Sequence, residues 1–324
     1  MAKLIFTADD FGVVPAIDKG IVDAAEMGLI NSVATFTNKD GFEKSVEILL
    51  DRSPNVEVGA HLTISSGYAL TSASFFTEKG SKFKHYGNIK RPKREADRVL
   101  ELVQLEKEIR AQIDKLVEVL PDRRVKHLSV HFNSLYFIKD YFDVLVKVAN
   151  SYDPVIPIRS VHAKPGIKHD FFVGQMALQI AFKNLFRQKE VDHIDEFAEA
   201  IGDYAKSMTN PPKMPSLFHT AHYGPLGLAK LSERKVEKLA KKKRRKVFKS
   251  SQKLQDDEVC EYVFHLIDDN YNLLEGYRAS AKSLDYHGIN DKYFDSRMAE
   301  LRSLKTFKQH YEDEFYPLTS WTNL

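Results

Sequence analysis

Two adjacent acids, Asp9 and Asp10, close the apolar run 3–8 (KLIFTA) and precede Phe11-Gly12. Buried without partners, such a pair is costly. Past the C-terminal end of a strand it can bind a cation or share acid–base work. Strict alternation sends the two side chains to different faces, so one ligand and one general base is the natural division. A plain loop start with Asp10 as a helix cap is the competing reading. His61 closes a similar run, 55–62 (NVEVGAHL), and Gly59 beside it permits close backbone approach. In the run 125–131, His127, Ser129 and His131 share one face, with His131 furthest along. Asp10, His61 and His131 together would make a two-histidine, one-carboxylate site for a divalent ion, with room for water. Unrelated polar strand ends are the plainer alternative. Glu261 and His265 share a face of the run 259–267 (VCEYVFHLI). His265 can protonate a leaving group, with His222 as its rival, and Glu261 can orient a network below. Arg159, after Val155-Ile-Pro-Ile, can hold a substrate oxygen or form a salt bridge under a loop.

The elements that must position these residues follow from hydrophobic period. Strand-like runs at 3–8, 29–36 and 55–62 alternate with helical patterns at 15–27 and 42–50. That order argues for parallel strands joined by crossover helices. A long amphipathic helix spans 95–120, with Val99, Leu102, Val103, Leu105, Ile109, Ile113, Leu116 and Leu120 as its apolar side. Strands are expected at 125–132, 155–161, 216–222 and 259–267, and helices at 140–150, 231–250 and 295–310. The expected fold is α/β, an irregular TIM-barrel-like (β/α) barrel with insertions. An open doubly wound sheet is the alternative. One domain, 1–324, is expected, with excursions around 65–92 and 165–215.

Composition narrows the chemistry. One cysteine, Cys260, excludes an intrachain disulfide framework and a thiolate zinc cluster, while twelve histidines remain for a His–carboxylate site. The 48 basic and 45 acidic side chains leave a formal charge of +3, no basis for nucleic-acid binding. The run 241–246 (KKKRRK) reads as a solvated helix face. No stretch approaches a membrane span or a signal sequence, so a soluble cytoplasmic protein with no membrane partner is expected. A homodimer is compatible, though no sequence feature locates an interface.

Several blocks carry a family resemblance: Phe6-Thr-Ala-Asp-Asp-Phe-Gly12, Gly28–Asn38, Val58-Gly-Ala-His-Leu-Thr63, Glu108-Ile-Arg-Ala-Gln-Ile113, His127–His131, Ile158-Arg159, Glu261–His265 and Arg297–Leu304. In this order they resemble the YdjC-like carbohydrate deacetylases, across nearly the whole chain. The resemblance implies a hydrolase that removes the N-acetyl group of an acetylated amino sugar or oligosaccharide. It implies one divalent ion, magnesium or zinc, on Asp10, His61 and His131. It implies Asp9 as general base and His265, rather than His222, as acid. Arg159, Glu261 and Asn133 are then expected at the substrate, and Phe83, Tyr86, Phe132 and Tyr136 are either sugar-stacking rings or core. The chain departs from the family pattern at Ser129, Asn133, Leu266 and Ile267. Those changes motivate an alternative: a non-catalytic or regulatory carbohydrate-binding protein on the same scaffold.

Overall fold

The computed structural model describes residues 3–85, 88–136, 138–160, 203–220, 232–251, 254–273, 276–277, 279, 291–310 and 318–324. Tyr86, His222 and residues 165–202 of the second excursion lie outside the described residues. The strands are β1 (Lys3–Phe11), β2 (Ser32–Thr35), β3 (Glu57–Leu62), β4 (Leu128–Val130), β5 (Leu217–Thr220) and β6 (Val259–Phe264). The helices are α1 (Pro15–Glu26), α2 (Phe42–Arg52), α3 (Glu95–Val119), α4 (Lys139–Asn150), α5 (Glu233–Ser251) and α6 (Asp291–His310).

The strand order is β4-β3-β2-β1-β6-β5. Pairs β1–β2, β1–β6 and β3–β4 are parallel. A doubly wound sheet reverses its winding at a switch point. Here the order is cyclic: the first strand sits between the second and the last, as in a (β/α) barrel. The expected α/β, TIM-barrel-like class is therefore observed. The strand expected at 155–161 is reduced to one bridge, Leu128 to Ile158. Pro154 and Pro157 lack the N–H a longer ladder needs. Likewise β4 stops at Val130, because Phe132 and Asn133 take positive φ (55° and 54°).

Contacts divide the chain into two compact units: Met1–Thr35, Gly41–Val58 and His219–Asn323 in one, and Phe36–Asp40 with Gly59–Phe218 and Leu324 in the other. In the first, Phe6 meets Tyr262 and Phe264 edge-on, at 5.7 and 5.3 Å between ring centres. A small cavity behind them is lined by Lys243, Leu304 and Phe307, so this face of β6 turns toward α5 and α6. By the two-residue period, Glu261 and Val263 take the opposite face.

In the second unit, α3 buries Leu105, Ile109, Ile113, Leu116 and Leu120 of its expected apolar side and departs from it near its start. Val99 and Val103 are 59% and 43% exposed, whereas Glu101, Glu108 and Gln112 are buried. Glu108 and Gln112 bond the backbone of the excursion after β3, while Glu101 accepts the Tyr141 hydroxyl, requirements hydrophobic period does not register. Phe83 and Tyr136 are core residues at 1% and 0% exposure, not stacking platforms. Gly59 packs on His127: a Cβ there would lie 2.3 Å from the imidazole and 2.5 Å from its backbone oxygen. Gly59→Ala is expected to destabilise the fold by ~1–3 kcal/mol through overpacking. A lowered denaturant midpoint at unchanged slope would show it; an unchanged midpoint would not fit this packing.

Candidate metal centre

The acid pair sits where β1 breaks its own pattern. Ala8 pairs with Val33 and Phe11 with Thr35, so β1 carries one extra residue there. Asp10 takes φ 69°, a left-handed conformation that Asp tolerates better than most residues. This bulge replaces the strict alternation expected of Asp9 and Asp10, and bulges gather beside active sites. Both acids are buried. The turn that follows is pinned from α1: the Gly12 N–H donates to Asp18 Oδ1 at 2.7 Å, and the Ser45 hydroxyl donates to its Oδ2 at 2.6 Å. Burial nevertheless pushes the Asp18 carboxyl up to about 6, against the pull of those two donors.

His61 and His131 come from the ends of β3 and β4. His61 Nδ1 lies 2.7 Å from Ser129 Oγ, and His61 Nε2 lies 3.3 Å from His131 Nδ1. Phe36 meets both imidazoles edge-on, at 4.9 and 5.0 Å between ring centres. An oxygen of Asp10 and one nitrogen of each histidine lie within 4.8 Å of one another, all three residues buried. The donor set suits a divalent ion. Two nitrogens on a tetrahedral ion at about 2.0–2.1 Å sit about 3.3 Å apart, which the two histidines match. Ser129 occupies the place beside His61 where a second partner fixes a ligating imidazole. Five described non-glycine residues have positive φ, and Asp10, Phe132 and Asn133 are three of them. Backbone strain of this kind collects at functional sites, which supports locating one here.

The other candidates fall as follows. His127 lies against Gly59 and is not one of the three clustered ligands. Arg159 is 1% exposed, with its guanidinium 5.5 Å from the centre of the Phe218 ring. Its backbone oxygen accepts the Tyr136 hydroxyl at 2.8 Å. Glu261 is fully buried, and Asn133 and His265 are half-buried.

His265 follows β6, and its backbone N–H donates to Glu300 Oε1 at 3.4 Å. Arg297 Nη1 lies 3.2 Å from the other oxygen of Glu300, and Lys243 Nζ is 3.9 Å from Oε1. Burial raises the Glu300 carboxyl and lowers Lys243 to about 8; their mutual attraction opposes both shifts. Leu266 and Ile267, the departures beside His265, are buried core, with Ile267 against Gly20 of α1. The partners Ser129, Asp18, Glu108, Gln112 and Glu300 had no assigned role in the sequence. All but Asp18 lie in the blocks that carry the family resemblance, which is the signal the sequence offered for them.

The sequence profile described as YdjC-like protein matches residues 3–305. "Carbohydrate deacetylase 2" of Listeria innocua is 29% identical over 215 residues, 64% of this chain and 80% of that protein. "Carbohydrate deacetylase 1" of the same organism is 32% identical over 117 residues, 36% of this chain and 46% of its own. A crystal structure from Enterococcus faecalis V583, described as a cellobiose-phosphate cleavage protein, aligns at TM-score 0.58 and 18% identity. It covers 99% of this chain and 98% of its own, and supports the fold alone.

Proposed function

Because the chain belongs to the YdjC-like family, whose profile spans residues 3–305, we propose that it is a carbohydrate deacetylase hydrolysing the N-acetyl group of an amino sugar. The observation that carries this reading is the buried grouping of Asp10, His61 and His131. These three residues would hold one divalent ion, zinc or magnesium, and imidazole donors favour zinc. Such an ion, when bound, polarises an amide carbonyl and lowers the pKa of water. The same proposal treats residues 1–324 as a single deacetylase domain.

The remaining roles fall to this chain's own side chains. Asp9 accepts the proton of the attacking water through its carboxylate. His265 donates a proton to the departing nitrogen, because an amide anion is a very poor leaving group. The His265 backbone bond to Glu300 fixes where that side chain starts, which proton transfer requires. Arg159, Glu261 and Asn133 orient the substrate's polar groups.

The test is acetate release from acetylated amino sugars and their phosphorylated forms, with metal stripped and restored. Release that stops on stripping and returns on restoration is expected. A second reading, sugar binding without turnover, is favoured by one observation: His61 meets a neutral Ser129 hydroxyl where the family pattern has a carboxylate. Saturable sugar binding with no acetate under any metal would establish that reading and remove the first.

A further inference from the structure

The block Glu108-Ile-Arg-Ala-Gln112 has no part in the chemistry above, yet Glu108 and Gln112 are buried in the middle of α3. Gln112 Oε1 accepts the Thr63 N–H at 3.0 Å, and Gln112 Nε2 donates to the Thr63 carbonyl at 2.8 Å. That is the donor–acceptor pair a neighbouring strand would offer. It begins one residue after β3 ends at Leu62, two residues after His61. The second Nε2 hydrogen goes to Glu108 Oε1 at 2.8 Å, so both amide hydrogens are used.

Glu108 in turn accepts the Leu70 N–H at 3.1 Å, the Thr71 N–H at 2.9 Å and the Thr71 hydroxyl at 2.7 Å. Among the described residues no basic side chain forms an ion pair with it, so its acceptor sites are met by donors alone. Thr63 Oγ1 accepts the N–H groups of Ser65 and Ser66 at 3.2 and 3.1 Å. Asn38 Nδ2 donates to the Ser66 and Tyr68 carbonyls at 2.7 and 3.1 Å. The chain leaving His61 is thus held at Thr63, Ser66, Tyr68, Leu70 and Thr71 from two sides.

We propose that Gln112 is a positioning residue for the ligand His61: it continues the strand ladder past Leu62 and, backed by Glu108, fixes the backbone from which the imidazole reaches the ion. Ser129 sets the ring, and Gln112 sets the chain beneath it. This rests on the reading of Asp10, His61 and His131 as metal ligands.

The experiment is zinc affinity of the full chain, measured by competition with a fluorescent chelator. The variants are Gln112→Met, which keeps volume and removes the bonds, and Gln112→Glu, which keeps shape but sets a carboxylate against the Thr63 carbonyl and Glu108. Tyr141→Phe serves as control, since it removes a comparable buried bond to Glu101 elsewhere on α3. Both Gln112 variants should bind zinc about 10–100-fold more weakly, the usual cost of losing an outer partner of a metal ligand. Tyr141→Phe should bind as the parent does, even where its melting temperature falls equally. If Gln112→Met does not fold, Gln112→Glu carries the same prediction. Parent-like affinity in either folded variant overturns the proposal, as does an equal loss in Tyr141→Phe. With His131→Ala measured alongside, loss there but not at Gln112 leaves the metal reading standing and removes only this one. A parent chain that binds no zinc or magnesium removes both.

Discussion

His131→Ala is expected to remove divalent-metal binding and, with it, acetate release. His131 is buried, with Nδ1 3.3 Å from His61 Nε2, and it lies in the only three-residue group of candidate ligands among the described residues. Removing one of three protein donors leaves a carboxylate and a single imidazole, too few to retain an ion in competition with water. The loss in affinity should therefore exceed the ~10–100-fold typical of outer partners. Activity should fall with it and return only in part at high metal. Fold loss is a minor component, because His131 begins a 3-10 turn, outside the ladder of β4. A melting temperature that no longer responds to added metal checks the binding directly. A variant that keeps its metal response and its rate would sink the proposed centre.

His265→Ala is expected to lower the rate on N-acetyl substrates by about 10²–10⁴-fold, the usual worth of a positioned acid. Metal affinity should stay as in the parent, since His265 is outside the clustered ligands. The discriminating measurement uses an activated acetyl ester such as 4-nitrophenyl acetate, whose leaving group departs without a proton. If His265 serves the leaving nitrogen, the variant loses far less on the ester than on the amide. Equal losses on both would assign His265 to binding or folding instead. Glu300→Gln should affect the same step more weakly, because it acts on the His265 backbone rather than the transferred proton.

Much of the fold is legible in the amino-acid sequence. The alternation of strand-like and helical runs in the first sixty residues reads directly as parallel strands with crossovers. The helices at 95–119 and 139–150 fall within a residue of their expected bounds, where a strong period and a terminal proline leave little choice. The strands at 125–132 and 155–161 were overextended. Left-handed Phe132 and Asn133 stop the first, and proline spacing reduces the second to a bridge. The apolar side of α3 holds from Leu105 to Leu120, but Val99 and Val103 at its start are exposed, and the buried face also carries Glu108 and Gln112. Hydrophobic period measures what avoids water, while the excursion after β3 needed donors and acceptors from Glu108 and Gln112.

Residue type and order alone determined the chemistry on offer: carboxylates and imidazoles at strand ends, and a single cysteine, Cys260. They also offered Asp10, His61 and His131 as candidate ligands, because each lies at the close of an apolar strand-like run. Only the tertiary structure decided that Asp10, His61 and His131 share one small space, since residues far apart in sequence meet only through strand order and register. It also decided, through the β1 bulge, that Asp9 and Asp10 need not obey alternation. And it showed which polar side chains satisfy the chain after β3, Gln112 and Glu108 among them: a buried backbone must be satisfied somewhere, and where is a property of the folded chain.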